Sequence, residues 1–145
     1  DHVGALQTVY QATGAPVGIH PADAAAFGVE ADFPLLSGME IEVGQESLTV
    51  AHVPGHTSGS VCLRFNGQAV VGDAIFPGGP GHTVSPQALA QSLVSLGQTV
   101  FTWPDGTELY PGHGGPTGVG AERTAFNQFL RADHPADLCG DVTWR

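Results

Sequence analysis

The sequence predicts a layered α/β domain, an α+β arrangement in which a sheet of short strands is covered by helices. Three observations predict it. Strand-like and helix-like stretches alternate irregularly along the chain instead of segregating, which suits one sheet packed against helices. Val61, Leu63 and Phe65 alternate with Ser60, Cys62 and Arg64, the period of two expected of a half-buried strand. Asn66-Gly67 follows at once, a strong hairpin signal because both central positions of a type I′ turn need positive φ, and Ala69, Val70 and Val71 return antiparallel.

The 145 residues suffice for a single domain, residues 1–145, with a real core, and 41% of them are hydrophobic. No apolar run approaches ~18 residues, so no membrane span is expected, and no signal peptide is visible. The formal net charge is −10, with four Arg and no Lys. That excludes the basic footprint of a nucleic-acid binder and leaves a small molecule as the expected partner. Cys62 and Cys139 are too few for a disulfide framework, and a cytoplasmic location is the default.

In chain order, Val3, Leu6 and Tyr10 carry helical spacing, which predicts a helix over residues 1–11, ended by Gly14. Residues 16–19 read as a short strand. Pro21–Phe27 reads as a short helix opened by its proline, and residues 31–38 as irregular. Strands are expected at 39–43 and 48–53, then at Val61–Phe65 and 69–72 across the hairpin. The Gly/Pro run from Pro77 to Thr83 reads as a long loop of the kind that borders active sites. A helix over 85–96 presents Leu89, Leu93 and Leu96 on one face, with Ser85 or Thr83 as N-cap, and Gly97 is expected to break it before a short resumption at 100–103. A strand at 107–110 leads into Pro111-Gly112-His113-Gly114-Gly115. The last helix spans 119–130, capped by Thr117 or opened at Gly118, and the tail from 133 shows little pattern.

Four loop segments place a metal-binding residue type at the end of a regular element: Asp1-His2, His56, Asp73 and His113. The last three each follow a strand and a glycine, whose freedom lets the backbone turn sharply. The hairpin should bring His56 and Asp73 side by side. Imidazole nitrogens with carboxylate oxygens suit zinc, with iron or manganese as alternatives.

In this order the segments GHTSGS, GDAIF and PGHG resemble the motifs of the metallo-β-lactamase-fold hydrolases, most closely the glyoxalase II-like, or hydroxyacylglutathione hydrolase-like, branch. Asp73 stands seventeen positions after His56, and His113 forty after Asp73. Asp1-His2-Val3-Gly4 resembles the end of the family's HxHxDH motif. The resemblance covers nearly the whole chain. It implies an αββα sandwich of which this is the C-terminal portion, because the two His of HxH and the strands before them are absent. One sheet edge or face is then expected to be uncovered, which would favour self-association into a homo-oligomer.

The resemblance also implies two divalent ions: one bound by Asp1, His2 and His113, the other by His56 with the missing histidines, and Asp73 bridging both. It implies a metal-bound hydroxide as nucleophile, oriented by Asp1 as the catalytic carboxylate, with small thioesters as the expected substrates. A mononuclear iron persulfide dioxygenase, a lactonase and a metal-poor non-catalytic fragment are the alternative readings. Phe76 and His82 are candidates to touch substrate.

Other residues read as structural. His52 should be a strand residue facing a helix, His20 a loop residue, and His134 a solvated tail residue. Cys62 alternates with core positions and reads as a buried or sheet-face thiol, Cys139 as a free thiol or a contact to a partner. Tyr110 and Trp103 are assigned to the core.

Overall fold

The computed structural model describes residues 2–27 and 31–144. Its first helix, α1 (Leu6–Thr13), ends where Gly14 takes a left-handed conformation (φ 64°) and donates its N–H to the Tyr10 carbonyl. It begins later than the apolar spacing predicts. Residues 2–5 form turns, because Gly4 is a poor helix former and no side chain caps the helix at its start. Strand β1 (Gly18–Ile19) leads into α2 (Pro21–Phe27), and β2 (Phe33–Pro34) returns to pair with β1 in parallel. This small pairing lies partly in the stretch read as irregular, and Gly18 permits it: a Cβ there would lie 2.7 Å from the Phe33 ring.

Strands β3 (Glu40–Val43), β4 (Glu46–His52), β5 (Val61–Phe65) and β6 (Gln68–Gly72) form an antiparallel meander. The β5–β6 turn is as predicted, with Asn66 at φ 42° and Gly67 at φ 76°. A tiny hairpin follows, β7 (Ile75–Phe76) with β8 (Gly79–Pro80), where a loop was expected. Helix α3 (Pro86–Gln98) starts from Ser85, whose hydroxyl accepts the Ala88 N–H. It runs through Gly97. A single glycine costs ~1 kcal/mol in a helix, and the burial of Leu89 and Leu96 on the packed face outweighs it. A 3₁₀ turn (Val100–Thr102) leads to β9 (Glu108–Pro111), β10 (Thr117–Gly118) and α4 (Val119–Phe129).

The main sheet has the order β10-β9-β6-β5-β4-β3, antiparallel except for the parallel β6–β9 pair. One face carries Ala51, Cys62, Ala69, Val71 and Leu109. All but Ala51, which packs against it, belong to the core cluster with Leu89 and Leu96 of α3, Val119, Phe126 and Phe129 of α4, and Trp103. The other face is open along its middle. Leu63, Val70 and Tyr110 are lateral neighbours there, and Val70 is 48% and Tyr110 36% exposed. Tyr110 is therefore not a core residue. It alternates with buried Leu109, and its hydroxyl donates to the Glu108 carboxylate at 2.8 Å.

The tail is more ordered than its composition suggests. Trp144 is buried among Phe101, Phe126 and Phe129. Its indole N–H donates to Glu122, a fully buried carboxylate that also accepts from the Gly78 N–H and the Thr117 hydroxyl. His134 is exposed, as read from the sequence, but ordered: it stacks on Phe129 and donates Nε2–H to the Phe129 carbonyl at 2.7 Å. Among the described residues, no helix is long and apolar enough to cross a membrane.

Candidate metal centre

Strands β4, β6 and β9 run in the same direction, so the loops carrying His56, Asp73 and His113 emerge at one end of the sheet. Three local devices aim these residues. A register shift between Val70 and Gly72 twists the end of β6. Gly72 then takes φ 50°, and Ala74 N–H closes a turn on the Val71 carbonyl, leaving Asp73 at the tip. Gly112 is the second device: any Cβ there would overlap the His2 ring and the Asp73 carboxylate. The third is a seam between the His56 loop and α3. A Cβ on Gly55 would overlap Ser92, and the Ser95 hydroxyl donates to the Pro54 carbonyl at 2.6 Å.

The four side chains converge. His2 Nε2 lies 3.0 Å from His113 Nε2 and 3.3 Å from Asp73 Oδ1. His113 Nε2 is 3.5 Å and His56 Nε2 3.8 Å from Asp73 Oδ2. Donor atoms of His2, Asp73 and His113 all fall within 4.8 Å of one another. Asp1, expected as a fifth ligand and as the catalytic carboxylate, lies outside the described residues.

His56 Nδ1 is 2.8 Å from the His82 carbonyl. A carbonyl can only accept, so Nδ1 carries a proton, and Nε2 is the nitrogen that faces Asp73. A carbonyl on the far nitrogen is the usual way a ligating imidazole is fixed in orientation and tautomer. Asp73 Oδ1 is buried, and among the described residues no group makes a hydrogen bond to it, His2 Nε2 standing at ion-pair distance. An unsatisfied buried acceptor costs ~1–3 kcal/mol or more, and a cation among the surrounding nitrogens would remove that cost. The donor set of imidazoles around a carboxylate fits a divalent ion of the zinc type.

The structure places the remaining candidates as follows. Phe76 is stacked towards His113, with ring centroids 6.3 Å apart. The His82 ring turns towards the tail, its Nδ1 3.0 Å from Asp141 Oδ1. His52 stacks on His20, with centroids 3.9 Å apart, and donates Nε2–H to the Ser58 carbonyl. The His20 ring in turn accepts the Ala22 N–H at the start of α2, and its pKa is held down by burial first and by His52 second. Cys62 is fully buried, and burial pushes its thiol up to about 12, which leaves no thiolate for nucleophilic work. A cavity of about 410 Å³ opens beside the cluster, lined by His2, His56 and Asp73 together with the apolar Leu6, Ile19 and Leu35.

Sequence reasoning missed Asp23. Its carboxylate accepts from the Thr57 hydroxyl at 2.6 Å and from the Gly59 N–H at 2.8 Å, immediately beyond His56. The hydroxyl-rich Thr57-Ser58-Gly59-Ser60 run was the available signal, since such a loop wants an acceptor.

A family model described as the metallo-beta-lactamase superfamily matches residues 1–132. A hydroxyacylglutathione hydrolase of Anaeromyxobacter dehalogenans is 37% identical over 116 residues, covering 78% of this chain and 44% of that protein. The chain thus aligns with less than half the length of that relative. A mitochondrial persulfide dioxygenase of Bos taurus is 35% identical over 89 residues, covering 59% of this chain and 35% of that one. Among solved structures, the BLEG-1 B3 metallo-beta-lactamase superposes with a TM-score of 0.80 at 25% identity, covering 91% of this chain and 73% of that chain.

Proposed function

The chain belongs to the metallo-β-lactamase superfamily, and from that premise we propose that His2, His56, Asp73 and His113 are ligands of a divalent-metal hydrolase centre acting on small thioesters. The observation that carries the metal reading is Asp73, whose buried Oδ1 has no hydrogen-bond partner among the described residues while three imidazole nitrogens stand within 3.8 Å of its carboxylate. Zinc is the first choice for this donor set, with iron or manganese next. Asp1 is assigned to the same centre.

A bound divalent ion supplies Lewis acidity, polarising a carbonyl and bringing the pKa of a coordinated water to ~7. The chain's own residues do the rest. Asp73 holds negative charge at the focus of the imidazoles. The His82 carbonyl keeps the His56 proton on Nδ1 and so keeps Nε2 available. Phe76, stacked towards His113, offers an apolar surface to substrate, and His82 is assigned to substrate contact beside it.

The thioester assignment is supported by the broader match to the hydroxyacylglutathione hydrolase, 78% of this chain against 59% for the persulfide dioxygenase. The dioxygenase relative favours a second reading, a single-iron centre that consumes oxygen. One comparison separates them. Protein loaded with zinc or with iron is given S-lactoylglutathione, glutathione persulfide, a homoserine lactone and a penicillin. Metal-dependent release of thiol from the thioester is expected, and Asp73→Ala should abolish it. Oxygen uptake with persulfide and no thioester turnover would replace the hydrolase reading with the dioxygenase one.

A further inference from the structure

The loop that carries His56 is gripped from outside the cluster by one carboxylate. Asp23 stands in the first turn of α2, where an acidic side chain ordinarily serves the helix's own N-terminus. Here its two oxygens turn to the loop. Oδ2 accepts the Thr57 hydroxyl at 2.6 Å and Oδ1 the Gly59 N–H at 2.8 Å. The approach is close: a Cβ on Gly59 would lie 2.6 Å from Asp23 Cγ. Within the loop, Ser60 Oγ accepts the Thr57 N–H at 3.0 Å and lies 2.8 Å from Thr57 Oγ1. His56 is the residue just before this clamped turn, and its ring is fixed at the other end by the His82 carbonyl.

We propose that Asp23 is a positioning residue for His56: its bidentate grip on Thr57 and Gly59 sets the loop so that the His56 ring reaches the His82 carbonyl with Nδ1 and faces Asp73 with Nε2. The proposal rests on the metal-centre reading for its consequence, but its geometry does not. Asp23 also lines the cavity beside the cluster, but its hydrogen bonds go to the loop, and it is through the loop that it acts on His56. The arrangement joins α2, in the small N-terminal layer, to a ligand carried by the main sheet. A relaxed loop would let the ring rotate, and an imidazole in water prefers its proton on Nε2, the nitrogen needed bare.

Two readouts test this on the same protein. Long-range ¹H–¹⁵N spectra of the metal-free chain report which nitrogen of His56 is protonated. Zinc titration reports affinity. In the unaltered chain His56 should be the Nδ1–H tautomer. Asp23→Ala should shift His56 towards the Nε2–H form and weaken zinc binding by ~10–100-fold, the usual loss when a group behind a ligand is removed. Asp23→Asn keeps an acceptor for the Gly59 N–H and should retain most of both properties. Thr57→Val, which removes one of the two bonds, should fall between them and serves as the test if Asp23→Ala does not fold. An unchanged His56 tautomer and unchanged zinc affinity in folded Asp23→Ala or Thr57→Val would overturn the proposal. Absence of zinc binding in the unaltered chain would instead sink the metal-centre reading, and the tautomer comparison would still decide the role of Asp23.

Discussion

The N-terminal layer and the main body of this molecule are held together differently. Every member of the main core cluster lies between Val53 and Trp144. Helix α1 has no buried residue, and the β1–β2 pairing is two residues long, with half-buried or exposed side chains. A cavity of about 410 Å³ separates parts of this layer from the sheet. Yet the candidate centre draws on both regions. Asp73, His56 and His113 come from loops braced by the body, whereas His2 comes from the layer with little packing beneath it. The body thus presents three of the four side chains of the candidate centre, and the N-terminal layer, with no buried residue in α1, presents the fourth.

Removing the shared carboxylate breaks the comparison most sharply. Asp73→Ala should abolish tight zinc binding, measured by calorimetric titration. It should not destabilise the metal-free fold, because Oδ1 is already a buried acceptor with no hydrogen-bond partner among the described residues. Its urea midpoint should be equal to or higher than that of the unaltered chain. A clear loss of stability would mean that the imidazoles around Asp73 act as structural partners, not as a ligand set.

Stability mutations sharpen the contrast. Leu96→Ala, at a fully buried position on α3, should cost ~2–5 kcal/mol by chemical unfolding. Leu6→Ala, on the half-buried face of α1 against the cavity, should cost about 1 kcal/mol or less. Equal costs would show that the N-terminal layer is as tightly integrated as the body. Amide exchange resolves the same point locally. The α1 amides should exchange with little protection, while those of β5 and β6 should approach global protection. Zinc should raise α1 protection if His2 is a ligand, because binding must order the segment that carries it.

What could be read in advance follows the same division. The β5–β6 hairpin and the three glycine-preceded ligand loops were legible because their determinants are local: Asn66-Gly67 and the glycines before His56, Asp73 and His113. The N-terminal layer was less so. Apolar spacing from Val3 suggested helix, but Gly4 and the missing cap leave residues 2–5 as turns, and it is a turn that presents His2. Features settled by distant partners were invisible. Trp144 gains its place from Glu122, twenty-two positions away, and Asp23 gains its role from Thr57 and Gly59. Tyr110 shows the limit of alternation, which separates two faces of a strand without saying which face the rest of the chain will cover.

The last effect appears only at high pH and concerns a residue buried in the body, and its sign follows from burial alone. Cys62 sits on the helix-covered face of the sheet with no exposed surface, and its thiol is pushed up to about 12. In the unfolded chain it ionises near ~8.5. Below that pH both states hold the proton and Cys62 adds no pH dependence. Between ~8.5 and 12 the unfolded state releases a proton that the native state keeps. Stability must then fall as pH rises, by up to ~1.4 kcal/mol per pH unit from this group. Other groups titrate in the same range, so the useful quantity is a difference. From pH 8.5 to 10 the unaltered chain should lose ~2 kcal/mol more than Cys62→Ala, by urea unfolding under reducing conditions. Cys139, only half-buried, should react first with a thiol reagent in the native protein. Matching pH slopes for the two chains, or early labelling of Cys62, would show that the sheet opens at β5 and that the body is less uniformly rigid than its packing implies.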